Sequence, residues 1–335
     1  MKWNATTVLG TLGALWTARA ALRRWQASRY DLRGRVVLIS GGSRGLGLLL
    51  AREYARFGAK LALVARDGVA LERACEQLRG TGAEVLGVPC DISDEEQVRG
   101  MVERVAASFG RIDVVVNDAG TIEVGPLSTM TTDDFAQAMD TNFWGAFNVS
   151  HHALPHLKAG EGRIVNISSI GGLISVPHLL PYSTSKFALT GFSLGLRAEL
   201  EQRGISVVTV CPGLMRTGSP VNAQFKGDVA TEYAWFSIAD SLPLLSMKAE
   251  RAVREIVRAS RRADVLLVLG LPAKLAALAN ALFPSLVVRS SAFVARALPK
   301  SNDPDGVQGR QIERRAPSWL TTLSDRAASA NNELG

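Results

Sequence analysis

This 335-residue sequence predicts an α/β fold, a doubly wound parallel sheet of seven strands. Three observations carry the expectation. Short runs rich in β-branched residues alternate with helix-like stretches along most of the chain. Those runs are apolar nearly throughout, as strands are when helices cover both faces of a sheet. The first run ends in a glycine-rich turn that leads into a helical pattern. Right-handed crossovers then wind the helices onto both sides.

The chain starts with a unit of its own, residues 1–33. Small and apolar residues run from Ala5 to Ala18, followed by Arg19, Arg23, Arg24, Arg29, Arg33 and Arg35 against a single Asp31. The apolar run is shorter than the ~20 residues a comfortable membrane span needs. It suits a short signal anchor or an amphipathic interfacial helix. A cleaved signal peptide, with Ala18 and Ala20 at an A-x-A-like site, and a soluble packing helix are the alternatives. Positive flanks tend to stay cytoplasmic, so the arginines argue against export.

From Gly34 the strands follow in order: "RVVLIS", "KLALVA", "AEVLGVP", "IDVVVN", "GRIVNIS", "ISVVTVC", and a seventh at "DVLLVLG". "GLLLAREYARFG" and "EEQVRGMVERVAASFG" are among the helices between them. In residues 271–300, Leu271, Leu275, Leu278 and Leu282 recur at helical spacing until Pro284 interrupts. That stripe suits a helix packed on the sheet, or one that dips into a bilayer or lines a substrate entrance. Residues 301–335 are polar and suggest a flexible tail.

Composition narrows the functional classes. Hydrophobic residues make up 47% and charged residues 21%, which permits a sizeable core. The net charge of +7 lacks the aromatic interleaving of a nucleic-acid surface, so no nucleic-acid partner is expected. Arginines lie beside apolar segments instead, pointing to a membrane surface. Cys75, Cys90 and Cys211 are too scattered for a disulfide framework and suit buried free thiols. His151, His152 and His156 lack a partner carboxylate or thiol, so no metal is expected.

"SGGSRGLG" spaces Gly41, Gly45 and Gly47 as G-x-x-x-G-x-G around Ser43, Arg44 and Leu46. Glycines there let backbone approach a pyrophosphate, and the amides at the helix start receive the anion. After the second strand, where an acid would bind an NAD ribose, stands Arg66, followed by Asp67. Arg44 and Arg66 suit a 2′-phosphate, hence NADP(H), with NAD(H) the alternative. In "PYSTSKFALTGF", Tyr182 and Lys186 lie one helical turn apart. An ammonium there would lower the phenol from its usual ~10, unless the pair is an ordinary surface contact.

"SGGSRGLG", "VNDAG", "YSTSK" and "CPGLMRT" together resemble the short-chain dehydrogenase/reductase family, in order and spacing, over residues 34–269. The resemblance implies a Rossmann fold over 34–270 that moves hydride between NADP(H) and a carbonyl or alcohol. It makes Tyr182 the proton donor or acceptor, and Lys186 the group that lowers its pKa and binds the nicotinamide ribose. Ser169 polarises the substrate oxygen, with Ser168 the weaker candidate, and Asn142 maintains a water-linked proton relay on a long central helix. Asp91 and Ile92 lie near the adenine. Asn117, Ala119 and Gly120 form the turn beside the cofactor, where Asp118 departs from the usual asparagine. Pro212, Gly213 and Thr217 contact the nicotinamide end. The family commonly pairs through its central helices, so a homodimer or homotetramer is expected.

Residues 214–245, with Phe225, Tyr233, Trp235 and Phe236, are expected to cover a lipophilic substrate, with His178 as a pocket wall. The resulting expectation is a membrane-associated oxidoreductase whose catalytic domain faces the cytoplasm. A soluble cytoplasmic enzyme is the alternative location. A cofactor-binding scaffold or sensor without turnover is the alternative function.

Overall fold

The computed structural model describes residues 29–242, 245–312 and 326–334, with Thr17, Ala18, Ala21, Leu22, Trp25 and Thr321. Its centre is a parallel sheet of seven strands: β1 Val36–Ser40, β2 Lys60–Ala65, β3 Val85–Pro89, β4 Val114–Asn117, β5 Arg163–Ile167, β6 Ser206–Pro212 and β7 Leu266–Leu269. Their order across the sheet is β7-β6-β5-β4-β1-β2-β3. The order reverses beside β1, and the carboxyl ends of β1 and β4 open there side by side, with Ser40 opposite Asn117. In an open α/β sheet that crevice is where ligands bind.

Strand alternation builds two cores. Val37 and Ile39 face one layer with α1 (Gly45–Arg56) and α2 (Gly68–Arg79). Val36 and Leu38 face the other with α3 (Glu95–Phe109). Polar signals set the helix starts. The Asp67 carboxylate accepts the Val69 and Ala70 amides at α2, and Asp94 accepts the Gln97 amide at α3. Thr131 and Asp134 form a capping box at α4 (Thr132–Met139).

The expected long central helix is interrupted. Between α4 and α5 (Gly145–Ala153) the residues Asp140–Trp144 form a π turn that carries Asn142. Such turns break the regular ladder and recur at functional sites. Asn142 compensates by bonding to both backbone groups of Thr121. The helix α6 (Leu180–Leu200) carries Tyr182 and Lys186 across the mouth of the crevice.

The basic helix α8 (Ala249–Arg262), which follows α7 (Val229–Ser241), buries Ala252, Val253, Ile256 and Val257 in the first core. Arg261 donates to the Tyr30 carbonyl at 3.0 Å, and Arg262 pairs with Asp264 at 2.8 Å. Both hold the fold together, so these two arginines are not the free cations that a lipid-facing helix was expected to offer. In α9 (Leu271–Leu282) and α10 (Pro284–Ala297) the leucine stripe does not pack on the sheet. Leu271, Leu275, Leu278 and Leu282 are 57–69% exposed. The polar tail is not loose where it is described. Val307–Gln308 pairs antiparallel with Gln224–Phe225, and residues 326–334 lie against the glycine turn. The N-terminal anchor expectation lies largely outside the described residues. Among the described residues no helix is long and apolar enough to cross a membrane. All three cysteines are free and buried.

A buried polar ladder ties the crevice strands to the helices. Asn117 Nδ2 donates to Ser150 Oγ at 2.9 Å and to Asn166 Oδ1 at 2.8 Å. Asn166 Nδ2 donates to Ser193 Oγ at 3.0 Å, which accepts from Thr209 Oγ1 at 2.7 Å. Buried polar groups left without partners are costly. Asn166→Ala is therefore expected to lower unfolding free energy by about 2 kcal/mol in guanidinium titrations. A change below about 0.5 kcal/mol, the scale of an ordinary surface substitution, would show that the ladder does not hold these helices.

Candidate active site

The crevice forms because two glycines let backbone segments touch. Gly41 has φ 78°, and a Cβ there would sit 2.7 Å from the Ala119 nitrogen. At Gly47 a Cβ would overlap the Gly41 carbonyl. The turn after β1 can thus lie against the turn after β4, leaving a cleft of about 540 Å³ at the sheet's carboxyl edge. Gly41, Ser43, Arg44, Gly45 and Leu46 line one end. Amides at a helix start bordering a cleft fit a diphosphate, so the residues present suit a dinucleotide.

Deeper in the cleft the wall carries Ser169, Tyr182 and Lys186. Lys186 is 4% exposed, and its Nζ donates to the Ile167 carbonyl at 3.0 Å. Burial pulls the ammonium down to about 8, with Asp118 pulling the other way. Nζ lies 5.7 Å from the Tyr182 ring centroid. The expected lowering of Tyr182 does not occur in this structure. Desolvation pushes the phenol up to about 12, opposed chiefly by the Ser169 hydroxyl.

The two serines have different partners. Ser168 Oγ donates to the Lys186 carbonyl at 3.0 Å and lies 2.7 Å from Thr190 Oγ1, so it braces α6. Ser169 Oγ accepts the Gly171 amide at 3.0 Å, and its hydroxyl lies against the Tyr182 phenol at the cleft wall. Asn142 stands behind this wall. Its Nδ2 donates to Ser185 Oγ at 2.9 Å and to the Thr121 carbonyl at 3.1 Å.

Arg66, Asp91, Ile92, Ala119, Gly120, Pro212, Gly213 and Thr217 also line the cleft. Arg44 bonds Asp67 at 3.1 Å and Asn222 at 3.2 Å, and Arg66 lies 3.8 Å from Asp91. Both guanidiniums border the cleft, each paired with an acid. Gly47, Asn117 and Asn142 do not line the cleft: Gly47 and Asn117 shape the turns around it, and Asn142 supports its wall.

The covering segment differs in detail from expectation. Leu214 and Phe236 line the cleft, whereas Phe225 and Tyr233 lie behind it in the apolar cluster that Phe236 and Leu179 share. Asp240 also lines the cleft, so its cover is not purely apolar. His178 is a clamp rather than a pocket wall. Its Nδ1 is 2.7 Å from Glu232 Oε1, and Trp235 Nε1 donates to Glu232 Oε2 at 2.6 Å, which pins α7 over the site. His178 takes φ 63°, a left-handed conformation uncommon for a side-chain-bearing residue.

Two acidic groups in the cleft were absent from the expected site. Asp118 was noted only as a departure in a turn, yet burial pushes its carboxyl up to about 7, with Lys186 and the Gly47 amide pulling it back. Glu333 reaches the cleft from the far end of the chain, and burial pushes it to about 7 against the pull of Arg44 and Asn222. Nothing local to Glu333 signals this position, since it depends on contacts nearly 300 residues away.

Comparisons with known proteins agree with this geometry. The family model described as short chain dehydrogenase matches residues 35–226. A putative ketoacyl reductase of granaticin polyketide synthesis from Streptomyces violaceoruber is 34% identical over 229 residues, covering 66% of this chain and 84% of the relative. An Arabidopsis thaliana protein named 11-beta-hydroxysteroid dehydrogenase-like 2 is 34% identical over 241 residues, covering 70% and 73%. The crystal structure of a short chain dehydrogenase from Burkholderia cenocepacia in complex with NADP superposes with a TM-score of 0.63, at 27% identity, over 73% of this chain and 99% of that one. The match takes in the glycine turn, the serine wall and the Tyr182–Lys186 pair, and the chain belongs to the short-chain dehydrogenase family, nicotinamide-dependent oxidoreductases of carbonyl and alcohol groups.

Proposed function

We propose that this protein is an NADP(H)-dependent reductase or dehydrogenase of a lipophilic carbonyl or alcohol, working at a membrane surface. The observation that carries the reading is the shared wall: the Ser169 and Tyr182 hydroxyls face one cleft, with the buried Lys186 ammonium beside them. The bound nicotinamide supplies or accepts the hydride. The protein supplies placement, hydrogen bonds and the proton. Ser169 and Tyr182 donate to the substrate oxygen, where charge grows as the carbonyl carbon is reduced. Tyr182 is protonated in the ligand-free cleft, the form a donor needs in the reductive direction, and its raised pKa must fall before the proton can leave. Once that proton leaves, the Lys186 ammonium stabilises the phenolate and binds the ribose. Asn142 fixes the Thr121 backbone behind Lys186 and carries the water-linked route to solvent.

The choice of NADP(H) rests on Arg44 and Arg66, which flank the ribose end with no acid in the usual NAD position. The NADP in the Burkholderia neighbour supports the same choice. The lipophilic substrate rests on Phe236, Leu214, Ile122 and Leu179 around the cleft. A membrane habitat is supported by the exposed α9–α10 hairpin. Residues 265–302 contain no acid, but include Lys274, Arg289, Arg296 and Lys300 among the exposed Leu278, Leu282, Phe283, Leu286 and Phe293. That composition suits an anionic lipid surface. Asn280 donates to the Leu173 carbonyl at 3.1 Å, which sets the hairpin near the active-site wall. Self-association is supported by an aromatic face shared by the central helices, where Phe143, Phe147 and Phe192 pack together and Trp144 is exposed.

Tyr182→Phe is expected to abolish turnover on a carbonyl panel while leaving NADPH affinity within about threefold, since it deletes one hydroxyl and leaves the glycine turn intact. Near wild-type turnover would remove Tyr182 from the acid–base role. Neutralising both arginines (Arg44→Ala with Arg66→Ala) should weaken NADPH about a hundredfold and NADH far less, at roughly 1.5–3 kcal/mol per charged hydrogen bond. Equal losses in fluorescence titrations would mean the pair does not read the 2′-phosphate. In membrane fractionation, deleting residues 1–33 should release much of the protein and leave a salt-sensitive remainder held by the α9–α10 hairpin. Full-length chain that stays in the low-salt supernatant without detergent contradicts the membrane placement.

A further inference from the structure

The chain's own C-terminus lies in the place prepared for the cofactor's diphosphate. The Gly45 amide, at the start of α1, donates to the Asn331 carbonyl at 2.8 Å. Asn331 Nδ2 donates to the Thr217 carbonyl at 3.0 Å, which bridges the glycine turn to the loop after β6. Asn332 Nδ2 donates to the Ser43 carbonyl at 2.8 Å and to Ala70 at 3.3 Å. Asn222 Nδ2 donates to Glu333 Oε2 at 2.5 Å and to the Glu333 carbonyl at 3.1 Å. Glu333 is 4% exposed, and Ala328 packs so tightly on Gly218 that a Cβ there would overlap it.

These contacts use the groups a dinucleotide needs. Gly45 and Ser43 belong to the glycine turn, and Arg44 already divides its guanidinium between Asp67 and Asn222. Arg310 also reaches Asn222, so the strap's anchor is crossed from two sides. A diphosphate and residues 331–333 cannot both lie against the start of α1. The strap lies outside residues 35–226, the stretch the family model matches.

We propose that residues 326–334 are a built-in competitor, a strap that closes the diphosphate site until the dinucleotide displaces it. The proposal rests on the cofactor reading above. The strap lowers apparent affinity in proportion to the fraction of molecules in which it is docked. It also shields the glycine turn from other anions while no dinucleotide is bound.

The test compares the full chain with one ending at Asp325, and with Glu333→Arg, which sets a cation beside Arg44 and Arg310. NADPH dissociation constants come from fluorescence titration. Both variants are expected to bind NADPH at least tenfold more tightly, with kcat unchanged for the truncated enzyme. A synthetic peptide of residues 326–335 added to the truncated chain should raise its dissociation constant competitively. Hydrogen exchange of the full chain should show the Gly45 amide and residues 326–334 protected without ligand, with 326–334 released at saturating NADPH. Affinities within twofold of the full chain, or a strap still protected at saturation, overturn the proposal. A truncated chain that binds neither NADPH nor NADH contradicts the cofactor reading and the strap's role with it. One that binds NADPH only as well as the full chain contradicts the strap alone.

Discussion

The site is organised around a buried ammonium. Lys186 sits 4% exposed at the carboxyl edge of the sheet, where a cation is expensive to keep. One carbonyl, from Ile167 at the end of β5, meets it directly, and Asp118 opposes its loss of charge from the turn after β4. Both lie at strand ends next to the point where the sheet order reverses. The parallel sheet is therefore what makes the lysine possible, because it delivers a carbonyl and a carboxyl from adjacent strands to one spot. Moving either strand by one residue would carry its supporting group out of register with Lys186.

The surroundings follow from holding that charge beside an open cleft. Gly120 must lack a side chain, since a Cβ there would stand 2.7 Å from Asn142 Oδ1 and 3.4 Å from Lys186 Nζ. Asn142 needs the π turn to reach back to Thr121, and Ser168 braces the helix that carries the lysine. Above the cleft, the His178–Glu232–Trp235 clamp holds α7 as a fixed cover. At the other end the strap covers the glycine turn. The cleft is thus enclosed from both ends by segments distant in sequence from its floor.

The sheet was legible because each strand is an apolar run of strand length, the inner ones buried on both faces, and the alternation with helices leaves few other folds. The pairing of Tyr182 with Lys186 was legible because one helical turn fixes their spacing locally, whereas Ser169 was placed beside them only by the family resemblance. What was not legible depends on distant contacts. The elevation of Tyr182 comes chiefly from burial, which is not written in the four-residue spacing. The leucine stripe of α9 shows the helix but not which side of it meets protein. The strap has no local signal at all. Asn331, Asn332 and Glu333 resemble any polar terminus until the backbone of Ser43, Gly45 and Thr217 supplies partners. Asp118 looked like a minor change in a turn and proved to be part of the charge balance around Lys186.

The central claim is that hydride enters carbon from the nicotinamide while the proton enters oxygen from the protein wall. A single-turnover reaction of an accepted ketone with NADPH deuterated at the transferring C4 position, in ordinary water, tests it directly by mass spectrometry. The account predicts one deuterium on the carbinol carbon. In the converse experiment, with unlabelled NADPH in heavy water, it predicts label only on the exchangeable hydroxyl. Deuterium from the solvent on the carbon, or none from the labelled cofactor, would contradict it.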